Sequence, residues 1–98
     1  MCELIHQYTH RVRSSGAAYV AMAYGEARDD GKWEGWLQFL KTDDDFEVFR
    51  TARETTQPDR AALAYWAAGL GPVYLEGALQ RATKIRRQKP GRLELPWL

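Results

Sequence analysis

The chain has 98 residues, a length at which a single core is the ceiling, because so small a globule buries only about 60 to 65% of the surface its unfolded chain exposes. Hydrophobic residues at 45% and aromatics at 12% exclude a disordered chain, and no window holds the roughly 18 to 20 consecutive apolar residues of a membrane span. The net charge of +1 conceals a split: residues 1 to 80 carry 8 basic and 12 acidic side chains, near −4, while residues 81 to 98 carry 6 basic and 1 acidic, near +5.

Residues 1 to 16 mix charged and apolar types without a firm period and read as a flexible arm or an added edge strand, closed by a loop at Ser14-Ser15-Gly16. Cys2 is the only cysteine, so no intrachain disulfide forms; with no charged and then apolar leader at the start, the expectation is a soluble protein of the reducing cytoplasm. From Ala17 to Arg28 the run AAYVAMAYGEAR is rich in strand formers. Asp29-Asp30-Gly31-Lys32 follows as a turn in which Gly31 takes a positive φ. Trp33 to Lys41 is the partner strand. The acidic stretch Asp43-Asp44-Asp45 makes a second connection, and Phe46 to Arg53 is expected to return as a third strand. Connections this short allow only antiparallel pairing, since a parallel crossover takes a dozen residues or more.

The period then changes. Thr56, followed by Pro58 and Asp59, reads as a helix N-cap, and Leu63, Trp66, Ala67 and Leu70 recur at helical spacing until Gly69 and Gly71 stop the run. Pro72 restarts it, with Leu75, Ala78, Leu79, Ala82 and Ile85 along one face. Gly77 inside this helix costs about 1 kcal/mol against Ala, which predicts close backbone approach to the sheet or the first helix. The helix should fray by Arg87, leaving residues 88 to 98 as a tail and 17 to 87 as one domain. The reading is α+β: a three-stranded antiparallel meander followed by two helices packed on one sheet face.

Strand parity sets Trp33, Gly35, Leu37 and Phe39 on one face and Glu34, Trp36, Gln38 and Leu40 on the other. Neither face is polar. Two helices cover one face of such a sheet, so the other is expected to expose Trp36, Leu40 and Phe49, an aromatic cluster of the kind that marks an association surface.

The order W-E-G-W-L at 33 to 37, R-E-T-T-Q-P at 53 to 58, Y-W at 65 and 66 and Y-L-E-G-A-L at 74 to 79 resembles a family of small uncharacterised bacterial proteins, over about residues 17 to 82. That resemblance implies a self-standing domain and carries no activity. The β-β-β-α order with an aromatic hairpin also looks like the HicB-type antitoxin domain, which implies toxin binding and oligomerisation. The glycine-threonine turn of that family is missing here, and two helices stand where it has one.

Cys2, His6 and His10 are spaced i, i+4, i+8, which on a helix would align three ligands; alternation through Leu4, His6, Tyr8, His10 and Val12 fits a strand instead, and no structural metal or other cofactor is expected. Glu54 beside Thr55 and Thr56 would make a base and an anion cradle at a helix start, the centre of a small enzyme or ligand binder, if Glu54 were not paired with Arg53, Arg50 or Arg60. Arg81, Lys84, Arg86, Arg87, Lys89 and Arg92 would neutralise phosphates if the partner were a nucleic acid, though no aromatics are interleaved with them. The leading expectation is a non-catalytic interaction or regulatory module, binding a protein partner or its own copies through Trp36, Leu40, Phe49 and Trp97. A nucleic-acid-binding regulator comes second and the Glu54 and Thr56 site third; a membrane partner is not expected.

Overall fold

A computed structural model describes residues 2–42 and 47–93, with side chains in the last helix as far as Lys84. Six strands precede two helices: β1 (Glu3–Gln7), β2 (Val12–Ser14), β3 (Ala17–Ala27), β4 (Trp33–Lys41), β5 (Val48–Arg50), β6 (Thr55–Gln57), α1 (Arg60–Ala68) and α2 (Pro72–Leu93). The α+β class is as expected, but the sheet has six strands rather than three. It is four strands wide, because the short strands share edges: β1 and β2 both pair with β3, and β5 and β6 both pair with β4, all antiparallel.

The central hairpin follows from local chemistry. All nine residues of β4 pair with β3, from Tyr19↔Lys41 to Ala27↔Trp33, and Gly31 at φ 87° closes the turn, with the Lys32 and Arg28 donors held by the Asp30 carboxylate. Those bonds hold Asp30 below the usual carboxylate range, the Lys32 backbone N–H first. Of the segment expected as a flexible arm or an added edge strand, Glu3–Gln7 and Val12–Ser14 form edge strands on β3. The β2–β3 hairpin turns through Ser15 and Gly16, both at positive φ, 51° and 80°, as a two-residue turn of this hand requires.

The third strand, expected over Phe46 to Arg53, is shortened to β5, and a further strand, β6, forms beyond it where the first helix was expected to start. Thr51 lies opposite Leu37, donating its N–H to Leu37 O at 2.9 Å and accepting the Leu37 N–H on its hydroxyl at 3.0 Å. Thr55 lies opposite Gly35, so residues 52, 53 and 54 all face Trp36 alone. Two extra residues thus form a bulge larger than the usual two-against-one kind between β5 and β6. Phe46, expected in this strand, lies outside the described residues. Thr56 does not cap a helix: it is still paired with Glu34 in β6, and the cap falls to Asp59, whose side chain accepts the Ala62 N–H at 2.8 Å.

Both helices pack on one face of the sheet. α1 lies against β1, β3, β4 and β6, α2 against β2 and β5. Ala67, Leu75, Ala78, Leu79 and Ala82 meet Tyr19, Ala21, Ala23, Leu37, Phe39 and Phe49 in the core, with Trp66 and Leu70 packed partly against it, and Leu63 is buried beside them. Close approach is made possible by glycine on the sheet rather than on the helix. Gly25 and Gly35 are cross-strand partners, and Leu63 sets Cδ2 on the first and Cδ1 on the second. Gly77 plays no such part: a methyl built there would meet only Arg81 Nη1, at 3.7 Å. α2 does not fray at Arg87 but continues to Leu93, although Pro90 can donate no bond to its ladder.

Candidate functional site

The face opposite the helices is built from the even positions of β3 and β4, and the registers arrange it in five rows. Arg13 and Ala18 form the first row, and Val20, Leu40 and Val48 an aliphatic second. The middle row is Gln7, Met22, Gln38 and Arg50. Leu4, Tyr24 and Trp36 make an apolar, largely aromatic fourth, and Glu26, Glu34 and Thr56 an acidic end. Leu4 is 46% exposed and Val48 45%, whereas Val20, Met22, Tyr24 and Leu40 are half-buried.

Two of the anticipated contact residues are placed otherwise. Phe49 pairs with Phe39, is only 8% exposed and stacks edge-on against Tyr19, so it belongs to the helix-covered core. Strand parity alone leaves this undecided; the register with β4 settles it. Trp36 does lie on the face opposite the helices but is not exposed: it is 4% accessible, with the Arg50 guanidinium 4.2 Å from its ring centroid. Among the described residues its buried indole Nε1 has no hydrogen-bond partner. Leu40 lies on the face as expected, and Trp97 falls outside the described residues.

Glu54 and Thr56 are not brought together. Thr56 shares the acidic row of the open face with Glu34, while the bulge turns Glu54 towards α2. There its carboxylate accepts from the Tyr74 hydroxyl and, at 2.6 Å, from Arg81 Nη2, and the side chain is only 9% exposed. Arg81 lies 5.7 Å from the Tyr74 ring, which in turn meets Trp66 edge-on at 6.4 Å. The Tyr74 phenol is pushed above its ordinary value, first by burial and then by the carboxylate it donates to. None of the three arginines expected beside Glu54 is its partner. Arg53 pairs with Glu34 at 4.0 Å, Arg60 with Glu3 at 2.9 Å, and Arg50 covers Trp36. The helical phase of Tyr74 and Arg81, seven residues apart on one face of α2, is the signal that could have found this cluster.

His6 lies in β1, its ring edge-on to Tyr8 at 4.5 Å, while Cys2 and His10 are exposed. Among the described residues no group of three or more His, Cys, Asp or Glu side chains is placed to hold a metal ion. The hairpin end bears an open cleft of about 410 Å³ lined by Glu26, Ala27, Arg28, Asp29, Asp30 and Glu34. Of the basic run, Arg81 is engaged by Glu54 and Lys84 is exposed; Arg86, Arg87, Lys89 and Arg92 lie on α2 beyond its described side chains. Among the described residues no helix is long and apolar enough to cross a membrane.

The architecture is therefore that of an α+β protein with an antiparallel sheet covered by two helices on one side. Comparison with protein-family models, with curated proteins and with solved structures finds no match to the chain.

Proposed function

We propose that the chain is a non-catalytic interaction module that binds another polypeptide through the sheet face opposite its helices. The observation that carries this reading is the composition of that face: two apolar rows, Val20-Leu40-Val48 and Leu4-Tyr24-Trp36, on the side away from α1 and α2. Glu54 supports the non-catalytic part, since Tyr74 and Arg81 already occupy its carboxylate and Thr56 lies on the other face.

Leu40→Lys tests the reading. A residue held for a partner should tolerate the change within about 0.5 kcal/mol of stability while the variant loses association. If unfolding instead shows a loss of about 2 kcal/mol or more, the chain fills this face itself and the reading falls.

The nucleic-acid reading draws support from the continuation of α2 to Leu93, since Lys89 and Arg92 then continue the helix that carries Arg81 to Arg87. Binding through it would appear in a mobility shift with mixed DNA and RNA and vanish steeply with added salt.

A further inference from the structure

We propose that the partner meets the open face with an extended acidic segment, and that Arg50 and Arg13 are the residues that select it. The proposal rests on the interaction reading above and adds the chemistry of the partner. Charge on this face is not balanced within the chain. At its acidic end Glu34 pairs with Arg53 at 4.0 Å and Glu26 has a partner of its own. The cations are placed differently: Arg13 and Arg50 are both exposed, and among the described residues neither has a carboxylate partner. What the face leaves unanswered is therefore positive charge, and its complement is an acid.

Arg50 is the better prepared of the two. It reaches inward from the edge strand β5, and its guanidinium lies 4.2 Å from the centroid of the buried Trp36 ring on β4. A guanidinium stacked on a ring keeps its N–H edge free, and that edge matches the two oxygens of a carboxylate. Because it is already held, it loses less freedom on binding than a loose side chain does.

The positions of the two arginines set the length of the segment. They stand three strands and two rows apart, about 20 Å between their backbones, and the Val20-Leu40-Val48 row passes between them. The reach of the arginines shortens this distance. Two carboxylates about four or six residues apart on an extended chain then meet both, and at that spacing they point the same way. Residues of the same parity between them fall on Val20, Leu40 and Val48, so they are apolar. A segment of this length buries less than the roughly 1,200 Å² of a standard interface, which makes the complex weak and reversible, with Kd on the order of micromolar.

The experiment pans a phage-displayed library of random peptides, long enough to span both arginines, on the intact chain at low salt. Fluorescence polarisation then measures the selected peptides against the intact chain, Arg50→Gln, Arg50→Lys, Arg13→Gln, Leu40→Lys and Lys84→Gln, each checked for folding by circular dichroism. The peptides are expected to carry two carboxylates at the spacing above with apolar residues between them. Arg50→Gln and Arg13→Gln should each raise Kd about threefold to tenfold, whereas Lys84→Gln, which removes a cation from α2 behind the sheet, should change it less than about twofold. Arg50→Lys should recover only part of the loss, because an ammonium keeps the charge without the planar fork. A peptide whose carboxylates are changed to amides should bind the intact chain more weakly and be indifferent to Arg50→Gln, a coupling that loss of fold does not produce. Peptides without enrichment in acids, or with binding unchanged by both arginine variants, overturn the proposal; if Leu40→Lys still abolishes their binding, the interaction reading survives it. Selection of no peptide overturns it as well. Single-stranded DNA or RNA that then binds the intact chain, and is released by the same two variants, identifies a nucleic acid as the occupant instead.

Discussion

Leu63 and the glycine pair beneath it offer a sharp test of how the helices reach the sheet. A methyl placed on Gly35 would stand 2.6 Å from Leu63 Cδ1, 3.4 Å from Thr55 Cγ2 and 3.5 Å from Tyr24 O. The first of these is far inside van der Waals contact. A leucine end often yields by rotating, but here Cδ2 already lies on Gly25, so turning away from one glycine drives the side chain into the other. Leu63 is only 1% exposed and has no other space. Gly35→Ala should therefore cost about 1 to 3 kcal/mol by overpacking, outweighing the gain of about 0.4 to 1 kcal/mol that alanine brings by restricting the unfolded chain. Leu63→Ala alone should cost about 2 to 5 kcal/mol. In the Leu63→Ala background the new methyl enters vacated space, so Gly35→Ala should become neutral or stabilising, a coupling of about 1 to 3 kcal/mol. Urea unfolding of the four proteins measures the cycle, against a total stability of about 5 to 15 kcal/mol for a domain of this size. Additive costs would refute the packing described here, as would a Gly35→Ala protein more stable than the parent.

Two further outcomes follow from buried polar groups. Tyr8, whose hydroxyl donates to Ala67 O at 2.6 Å, has its phenol pushed up to about 12, first by burial and then by the nearby Tyr74. The folded state thus favours the neutral phenol: its contribution is whole below pH 10, the ordinary value, and is lost as the pH rises through about 12. Tyr8→Phe should flatten the decline in stability over that alkaline window, and an unchanged decline in pH-dependent melting would contradict it. Thr51→Val keeps the shape but leaves the buried Leu37 N–H without its acceptor, so chemical denaturation should register a loss of about 1 to 3 kcal/mol. Thr51→Ser, which retains the hydroxyl, should recover most of the loss unless the methyl group is what matters.

The sequence by itself determined what depends on near neighbours. The hairpin of β3 and β4 follows from two runs of strand formers around Asp30-Gly31, and the two helices follow from the spacing of Leu63 and Ala67 and of Leu75 and Leu79. Each rests on contacts within one turn or one hairpin, where residue type and period suffice. What only the tertiary structure decided involves pairings between distant segments. β1 and β2 are strands because β3 offers them an edge, and their own composition is too mixed to show it. Thr56 looks like a cap until its backbone is claimed by Glu34, after which Asp59 must serve. Phe49 and Val48 are equally apolar, and only the pairing of Phe49 with Phe39 decides which enters the core. In the same way Gly25 and Gly35 become a seat for Leu63 through register, and Glu54 finds Tyr74 and Arg81 because a bulge opposite Trp36 turns it towards α2. Periodicity shows that a strand or helix has two faces. Which face is buried, and against what, is set by the register that buries the most apolar surface while satisfying the backbone, a property of the assembled sheet rather than of any one segment.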